Sequence, residues 1–502
     1  MTGRLLRPES HGGPVDAAVD FAIVGSGPGG AAAARVLAAA GFSVLVLEQG
    51  LPYPPEARRA DAFTAFGAAW KDAGFQVARG RAVTPLLQGV ALGGSTPING
   101  AILHRLPAPV ADDWRTTHGL GALLAPAELD RVFARLDAEV GATPTPPAIA
   151  GQNNLRLAAA AAALGVEARP TVRAAAACVG SARCNQGCPT GAKSTMDQTL
   201  LPRAMADGAT IFVGCRVTGL RRAGGRVTGV DARLLVDGRP GPPVRVEARR
   251  GVLLALGAIH TPLLLAAAGL GGPRVGRNLR AHPGASLLAR FDDEVRLFEG
   301  ATQGQEVTGW WAQGYKCETV GLPPAVLLAR IPGFGPDLMA RAAAARHLAS
   351  WGVQIRARTE GRVRRLPGGL PWVTWDLQPE DVRLFWVALQ SLGRLAFAAG
   401  ARGVSFGVPG LPVEITSPDG LAAFDALPAD PRLLHTICAH LFGTAALGAD
   451  PSRAVLTPTG AVRGVSGLSV VDASALPTNM GVNPQHTICA VSWRIAEGLA
   501  GS

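Results

Sequence analysis

Lysine is almost missing from this chain. Of its 48 basic residues only Lys71, Lys193 and Lys316 carry an ammonium group, and the arginines are scattered. The net charge of +11 therefore reads as arginine-biased composition and speaks against nucleic acid as a partner. Basic pairs such as Arg249-Arg250 and Arg364-Arg365 are expected on solvated surface. Long apolar runs are missing too. The most membrane-like stretch, 251–270, is broken by Gly257, His260, Thr261 and Pro262, which suits a buried strand running into a helix, so no transmembrane segment is expected. The first 18 residues lack a basic segment followed by an apolar core and a small-residue cleavage site, so a cytoplasmic protein is expected, with peripheral membrane association left open. Cysteine is scarce and odd in number, seven in all, which argues against a disulfide framework. Cys178, Cys184 and Cys188 cluster, yet their spacing fits neither the usual zinc pairs nor the ferredoxin run. No metal is expected there, and the stretch reads as a tight glycine-rich loop with buried thiols.

What the chain has in abundance is alanine and glycine, and 502 residues exceed what one core usually serves, so two packed domains are expected. Phe21-Ala22-Ile23-Val24 is an apolar strand, Gly25-Ser26-Gly27-Pro28-Gly29-Gly30 a glycine loop, Ala31 to Ala40 a helical run, and Ser43 to Leu47 a second buried strand ending at Glu48. That order is the strand–loop–helix–strand unit of a doubly wound α/β fold. Gly25, Gly27, Gly29 and Gly30 would let backbone amides approach a pyrophosphate at the helix start, and Glu48, 18 residues beyond Gly30, would bind ribose hydroxyls. Further strands are expected at Thr210 to Val213, Gly251 to Leu256 and Leu468 to Val471. The nucleotide-binding domain is thus expected to be discontinuous, 18–290 with 430–502, with 108–195 as a largely helical or irregular insertion. Residues 291–429, with short strands, proline-rich turns and several tryptophans, are expected to form an α+β substrate domain on a mainly antiparallel sheet.

Four further stretches invite a chemical reading beside a bland one. Gly93-Gly94-Ser95-Thr96 is either a structural turn or a second flexible segment at a cofactor, with Asn99 available to hydrogen-bond. His440, ahead of Gly443-Thr444, has no charged neighbour before Asp450, the usual setting of a satisfied core histidine. Asn483-Pro484 reads as an N-cap and first helical residue, with Ile488, Val491, Ile495 and Leu499 on one face; such a helix could also aim its positive end at a ring that gains negative charge. Asp472, at the end of the last expected strand, reads as the cap of a turn until the resemblance named below gives it a second reading.

Taken in order, these motifs resemble the glucose-methanol-choline (GMC) oxidoreductase family. They are joined by Gly257-Ala258-Ile259-His260-Thr261-Pro262 and by Val275-Gly276-Arg277-Asn278-Leu279 with His282-Pro283. The resemblance implies bound FAD, with Gly257, Asp472, Ala473 and Pro484 also near it, and His440 with Asn483 as the active-site pair. Ile98 stands where some members carry a flavin-linking histidine, so the FAD is expected to be non-covalent. The loop Cys178 to Lys193 with Leu200-Leu201-Pro202-Arg203 is similar to the branch related to long-chain alcohol oxidases. Ala439 replaces a frequent tryptophan and Ala268 a serine, which leaves substrate shape open. Glu318 is a weak candidate for the acidic base that sterol-oxidising members use.

The expected reaction takes an alcohol, apolar or long-chain, to its carbonyl. An alkoxide donates hydride more readily than an alcohol, so a neutral His440 would take the hydroxyl proton while Asn483 holds the oxygen, with the two roles shared or reversed. The electron acceptor could be oxygen, a quinone or a carrier protein. Rival readings are a lyase or fatty-acid photodecarboxylase, which would want Arg432 to anchor a carboxylate near Cys438, a flavin-holding subunit without turnover, and a nicotinamide enzyme.

Overall fold

The computed structural model describes residues 3–59 and 61–501. Its first sheet is built around the strand Val15–Val24, whose last four residues, Phe21 to Val24, are apolar and buried. Val44–Leu47 runs parallel on one side, followed by Thr210–Phe212 and Leu5–Leu6, all parallel. On the other side lies Arg239–Leu254, long enough for two outer neighbours. Its first half pairs antiparallel with Arg226–Val236, and Val252 to Leu254 pair parallel with Leu468–Val470. The parallel centre is covered on both faces, which is why its strands read as continuous apolar runs.

The helix Pro28–Ala39 starts with proline at its first position, where a missing N–H costs nothing. It ends at Ala40, followed by Gly41 at φ 86°. Its small residues set how closely it packs. A Cβ on Gly29 would stand 1.7 Å from the carbonyl oxygen of Val471, so only glycine lets this helix sit against the end of the last strand. The final helix, Gln485–Ala500, packs on Pro28–Ala39 at the same place, and its Ser492 hydroxyl donates to the same Val471 oxygen at 2.8 Å. The two ends of the chain are thereby locked together.

The second sheet runs in the order Gly403–Ser405, Arg280–Arg290, Leu348–Ile355, Tyr315–Thr319, Gln305–Val307, Ala168–Pro170, with Ile437–Phe442 also paired to Arg280–Arg290. Every one of these pairings is antiparallel. The helix Pro379–Ala398 lies against it and buries Val382, Phe385, Leu389, Leu392 and Leu395. Each such side chain contributes about 1.5–3 kcal/mol by leaving water.

The expected domain boundaries at 290 and 430 cut through this sheet. Arg280–Arg290 is one of its inner strands and Ile437–Phe442 its neighbour, although both ranges were expected on the nucleotide side. The insertion 108–195 does hold helices, at Ala108–Thr116, Pro126–Val140 and Gln152–Ala163, but its strand Ala168–Pro170 adds an edge to the second sheet. Periodicity identifies a strand and is silent on which sheet receives it. No helix among the described residues is long and apolar enough to cross a membrane.

Candidate active site

Two glycine loops meet where the first sheet ends. Gly25 takes φ 104° with its Cα against the Ala255 carbonyl, and Gly30 folds back onto Gly25. Gly93 and Gly94 take φ 92° and 63°, and a Cβ on Gly94 would stand 2.7 Å from the Cα of Gly27. Ser26 joins the loops: its hydroxyl accepts from the Gly93 N–H at 2.9 Å and donates to Glu48 Oε2 at 2.7 Å. Glu48 also accepts from the backbone N–H groups of Ser26 and Gly50, at 2.9 and 2.7 Å. Burial raises its carboxyl pKa against the pull of these donors. These donors hold the carboxylate in place at the end of its strand, facing the loop of Gly25 to Gly30. A Cβ on Gly27 would enter open space, the nearest atom being the Gly94 Cα at 3.9 Å, so this backbone is free to be approached by a pyrophosphate. The residues present fit a dinucleotide.

Other residues expected at the cofactor have their polar atoms committed within the protein. Thr96 Oγ1 donates to the Gly93 carbonyl and accepts from the Met196 N–H. Ser95 accepts from the Gly89 N–H. Asn99 donates to Gln485 Oε1 at 2.5 Å and accepts from Ala101, tying its loop to the first turn of the final helix. Asp472 accepts from the Gly257 N–H at 2.9 Å, from Thr261 Oγ1, and from both the N–H and hydroxyl of Ser474. Its carboxylate is saturated, and it joins the helix start at Gly257, which takes φ 78°, to the short turn Ala473–Ala475. The Ala473 carbonyl accepts from the Gly443 N–H, one residue beyond the His440 strand.

His440 and His282 face each other across paired strands. Their Nδ1 atoms are 3.4 Å apart and their rings meet edge to face. His282 Nε2 accepts from the Gly481 N–H at 2.8 Å, and Asn479 donates to the carbonyls of Ala281 and Ala357. The segment 479–481 is thus fastened to the second sheet beside His440, two residues before Asn483. Burial, with smaller contributions from Lys316 and His104, brings the His440 pKa down to about 3. Burial and the neighbouring His440 hold His282 well below its ordinary value. Both rings are uncharged at neutral pH.

Asn483 does not cap the final helix. Pro484 takes the cap position without a side-chain cap bond, and its carbonyl accepts from Ile488. The Asn483 side chain is buried and its Oδ1 has no partner. A buried amide oxygen left bare costs about 1–3 kcal/mol, and a ligand hydroxyl or N–H would satisfy it.

Beyond the histidines the second sheet carries a buried charge cluster. Lys316 Nζ donates to Glu306 Oε2 and Glu318 Oε2, both at 3.0 Å, and is fully buried. Glu306 also meets His104 Nε2 and Arg169 Nε, each at 2.8 Å. Burial pushes the Glu306 carboxyl up, but Lys316, His104 and Arg169 pull harder and leave it well below its usual range. Glu318 is the counter-ion here: Lys316 occupies Oε2, and the amides of Gln303 and Gln354 donate to Oε1 at 2.7 and 2.8 Å. Three of its acceptor positions are taken by neighbours, one of them the Lys316 ammonium, which counts against a role as base. Arg432 is exposed and bound to Asp430, so it is not placed to anchor a buried carboxylate. The cysteine loop is held by Lys193, whose buried ammonium donates to the carbonyls of Pro97, Asn99 and Cys184. Burial lowers its pKa to about 8. Among the described residues no group of three or more His, Cys, Asp or Glu is arranged to hold a metal ion.

Lys316, Glu306 and His282 went unassigned in the sequence reading. His282 was visible in a motif without a role, and a lysine inside the strand Tyr315–Thr319 of a chain with three lysines was the signal for the cluster.

An α/β dinucleotide-binding framework with a buried histidine on a strand of its second sheet is what these features define. Profiles described as GMC oxidoreductase match residues 29–284 and 357–492, and the chain belongs to that family. An uncharacterized GMC-type oxidoreductase of Mycobacterium tuberculosis is 38% identical over 482 residues, covering 95% of this chain and 75% of that one. A long-chain-alcohol oxidase of Arabidopsis thaliana is 26% identical over 515 residues, covering 96% and 66%. Among solved structures, pyridoxine 4-oxidase from Mesorbium loti aligns with a TM-score of 0.70 at 18% identity, covering 95% of this chain and 98% of that one. A formate oxidase aligns at 0.72 and 16%, covering 97% and 99%. The chain is therefore a GMC-type oxidoreductase, and the family supports FAD as its cofactor.

Proposed function

We propose that this enzyme oxidises an alcohol to its carbonyl, removing the hydroxyl proton and a hydride from the same carbinol, with FAD held non-covalently. The observation that carries this is a chain of contacts: the uncharged imidazole of His440 meets His282, and His282 is held by Gly481, two residues before Asn483, whose buried Oδ1 lacks a partner. FAD, when bound, supplies the acceptor for the hydride. The backbone around Gly25, Gly27, Gly29 and Gly30 would hold its pyrophosphate, Glu48 a ribose hydroxyl, and the loop of Gly93 and Gly94 would close on it from the other side. Gly257, Asp472, Ala473 and Pro484 set the position of these loops and of the final helix. Ser95, Thr96 and Asn99 act likewise, through the bonds they make inside the protein. Buried Ile98 offers no nucleophile for a covalent link.

His440 and Asn483 would bind the substrate hydroxyl as one donor and one acceptor. A base with a pKa near 3 is a weak proton acceptor for an alcohol, since general bases work best near the operating pH. His440 is thus better suited to hold the oxygen than to strip its proton. For the substrate, the plant relative's activity favours a long-chain alcohol. The charge cluster around Lys316, close enough to depress the His440 pKa, favours a compact polar one.

The test is anaerobic mixing of the yellow holoenzyme, in darkness, with fatty, aromatic, amino and sugar alcohols while flavin absorbance is followed. Bleaching by one class is expected and names it. His440→Ala should stay yellow and lose bleaching by at least about 100-fold. A holoenzyme that no alcohol bleaches would overturn the reading.

A further inference from the structure

Hydrogen-bond donors in the His282–His440 pair can be ordered from one end. The Gly481 N–H lies between two acceptors, His282 Nε2 at 2.8 Å and Asn479 Oδ1 at 3.0 Å. A backbone N–H only donates, so His282 Nε2 carries no proton. A neutral imidazole holds one proton, and that of His282 is therefore on Nδ1. This atom faces His440 Nδ1 at 3.4 Å, and two N–H groups cannot point at each other. His440 Nδ1 is then the acceptor, and the remaining proton of its ring is on Nε2.

We infer that His282 is a positioning residue that locks His440 in the Nε2–H tautomer, so that His440 meets the substrate oxygen as a hydrogen-bond donor while Asn483 Oδ1 accepts a hydrogen bond from the hydroxyl, whose proton passes to water as the hydride leaves. For His440 to accept a proton at Nε2 instead, its own proton would have to sit on Nδ1 against His282. That ring would then have to give up its bond from Gly481, leaving a buried N–H with one acceptor fewer. In the inverted pair the His282 Nε2–H would face the Gly481 N–H at 2.8 Å, donor against donor, and that peptide would keep Asn479 Oδ1 alone as acceptor. A second observation agrees: the peptide that orients His282 belongs to the segment that ends in Asn483, so donor and acceptor are set by one short stretch of chain. The meaning for catalysis rests on the alcohol-oxidation reading, whereas the tautomer itself does not.

The experiment is long-range proton–nitrogen NMR on FAD-loaded protein labelled with ¹⁵N-histidine, with His282 and His440 assigned by their single variants. The expected result is a protonated Nε2 and bare Nδ1 in His440, and the reverse in His282. A resting His440 with its proton on Nδ1 overturns the inference. In the kinetic arm, His282→Gln keeps an amide N–H for His440 Nδ1, and His282→Leu keeps none. His282→Leu is expected to lose on the order of 10²-fold in kcat with KM little changed, and His282→Gln to regain part of that loss. Equal kcat in the two variants would refute the positioning role. Where a variant does not fold, the wild-type spectrum alone decides. Should no alcohol reduce the flavin while the tautomers are as stated, the functional reading fails and the assignment of protons survives.

Discussion

The two glycine loops and the face of the second sheet build their parts of the site in opposite ways. At the loops, backbone does most of the work: Gly29 lies against the Val471 carbonyl and Gly94 against Gly27, with side-chain bonds added by Ser26, Glu48, Ser95 and Thr96. On the second sheet nearly everything is side chain, with His440, His282, Lys316, Glu306 and Glu318 drawn from four strands and satisfied by one another. Backbone sites depend on what a residue lacks, side-chain sites on what several residues carry together. The first kind fails by collision and the second by leaving a partner bare.

Gly29→Ala is the most damaging way to test the first half of that contrast. The added carbon would lie 1.7 Å from a backbone oxygen that cannot move aside without shifting the last strand. Loss of soluble yellow protein is expected, read by flavin content after purification. The matched control is Gly67→Ala, in the exposed face of Ala62–Ala69 with nothing within 4 Å of the new carbon. There the same substitution should raise stability by about 0.5–1 kcal/mol through helix propensity. If the two variants behave alike, close packing is not what the loop glycines provide.

Lys316→Met tests the other half. It removes the ammonium between two buried carboxylates, and breaking a buried pair in this way costs about 3–5 kcal/mol. Urea unfolding at pH 7 measures it. The sign with pH is fixed by Glu306, whose pKa in the folded protein is lowered: its contribution to stability is present above the unfolded value of 4.5 and is lost as pH falls through the folded one. The penalty of Lys316→Met should accordingly be largest at neutral pH and shrink below about 4.5, as the abandoned carboxylates take up protons. A penalty independent of pH would mean that packing of the lysine stem, and not its charge, holds the cluster.

The same contrast explains how far the sequence could be read. The loop of Gly25 to Gly30 with Glu48, the strands on either side and the final helix were legible because spacing along the chain is the physical requirement. The His282–His440 contact spans 158 residues and the Lys193 clamp on Asn99 spans 94, and neither leaves a local pattern. The strand Arg280–Arg290 was expected with the nucleotide-binding strands and pairs in the second sheet instead, because alternation cannot say which sheet a strand joins. Asn483-Pro484 carried the composition of a capped helix start, and the structure instead leaves the asparagine oxygen bare. Local propensity loses at that point, as is common where a polar group is kept for a ligand.

Glu48→Gln gives the smallest effect and the sharpest comparison, because it changes a side chain inside the backbone-built region. Glutamine keeps the carbonyl oxygen that can accept from Gly50, but its amide group would meet the Ser26 N–H and hydroxyl as donor against donor. Ser26 could turn its hydroxyl to accept from the amide, which would compete with its bond from Gly93. The net loss is about one hydrogen bond to a charged group, roughly 1.5–3 kcal/mol, partly returned because burial already disfavours the ionised carboxyl. FAD affinity is expected to fall about tenfold, with the fold intact, as measured by titrating FAD into the apoprotein. A fall as complete as that of Gly29→Ala would show that a single carboxylate, and not the glycine backbone, governs how this chain holds its cofactor.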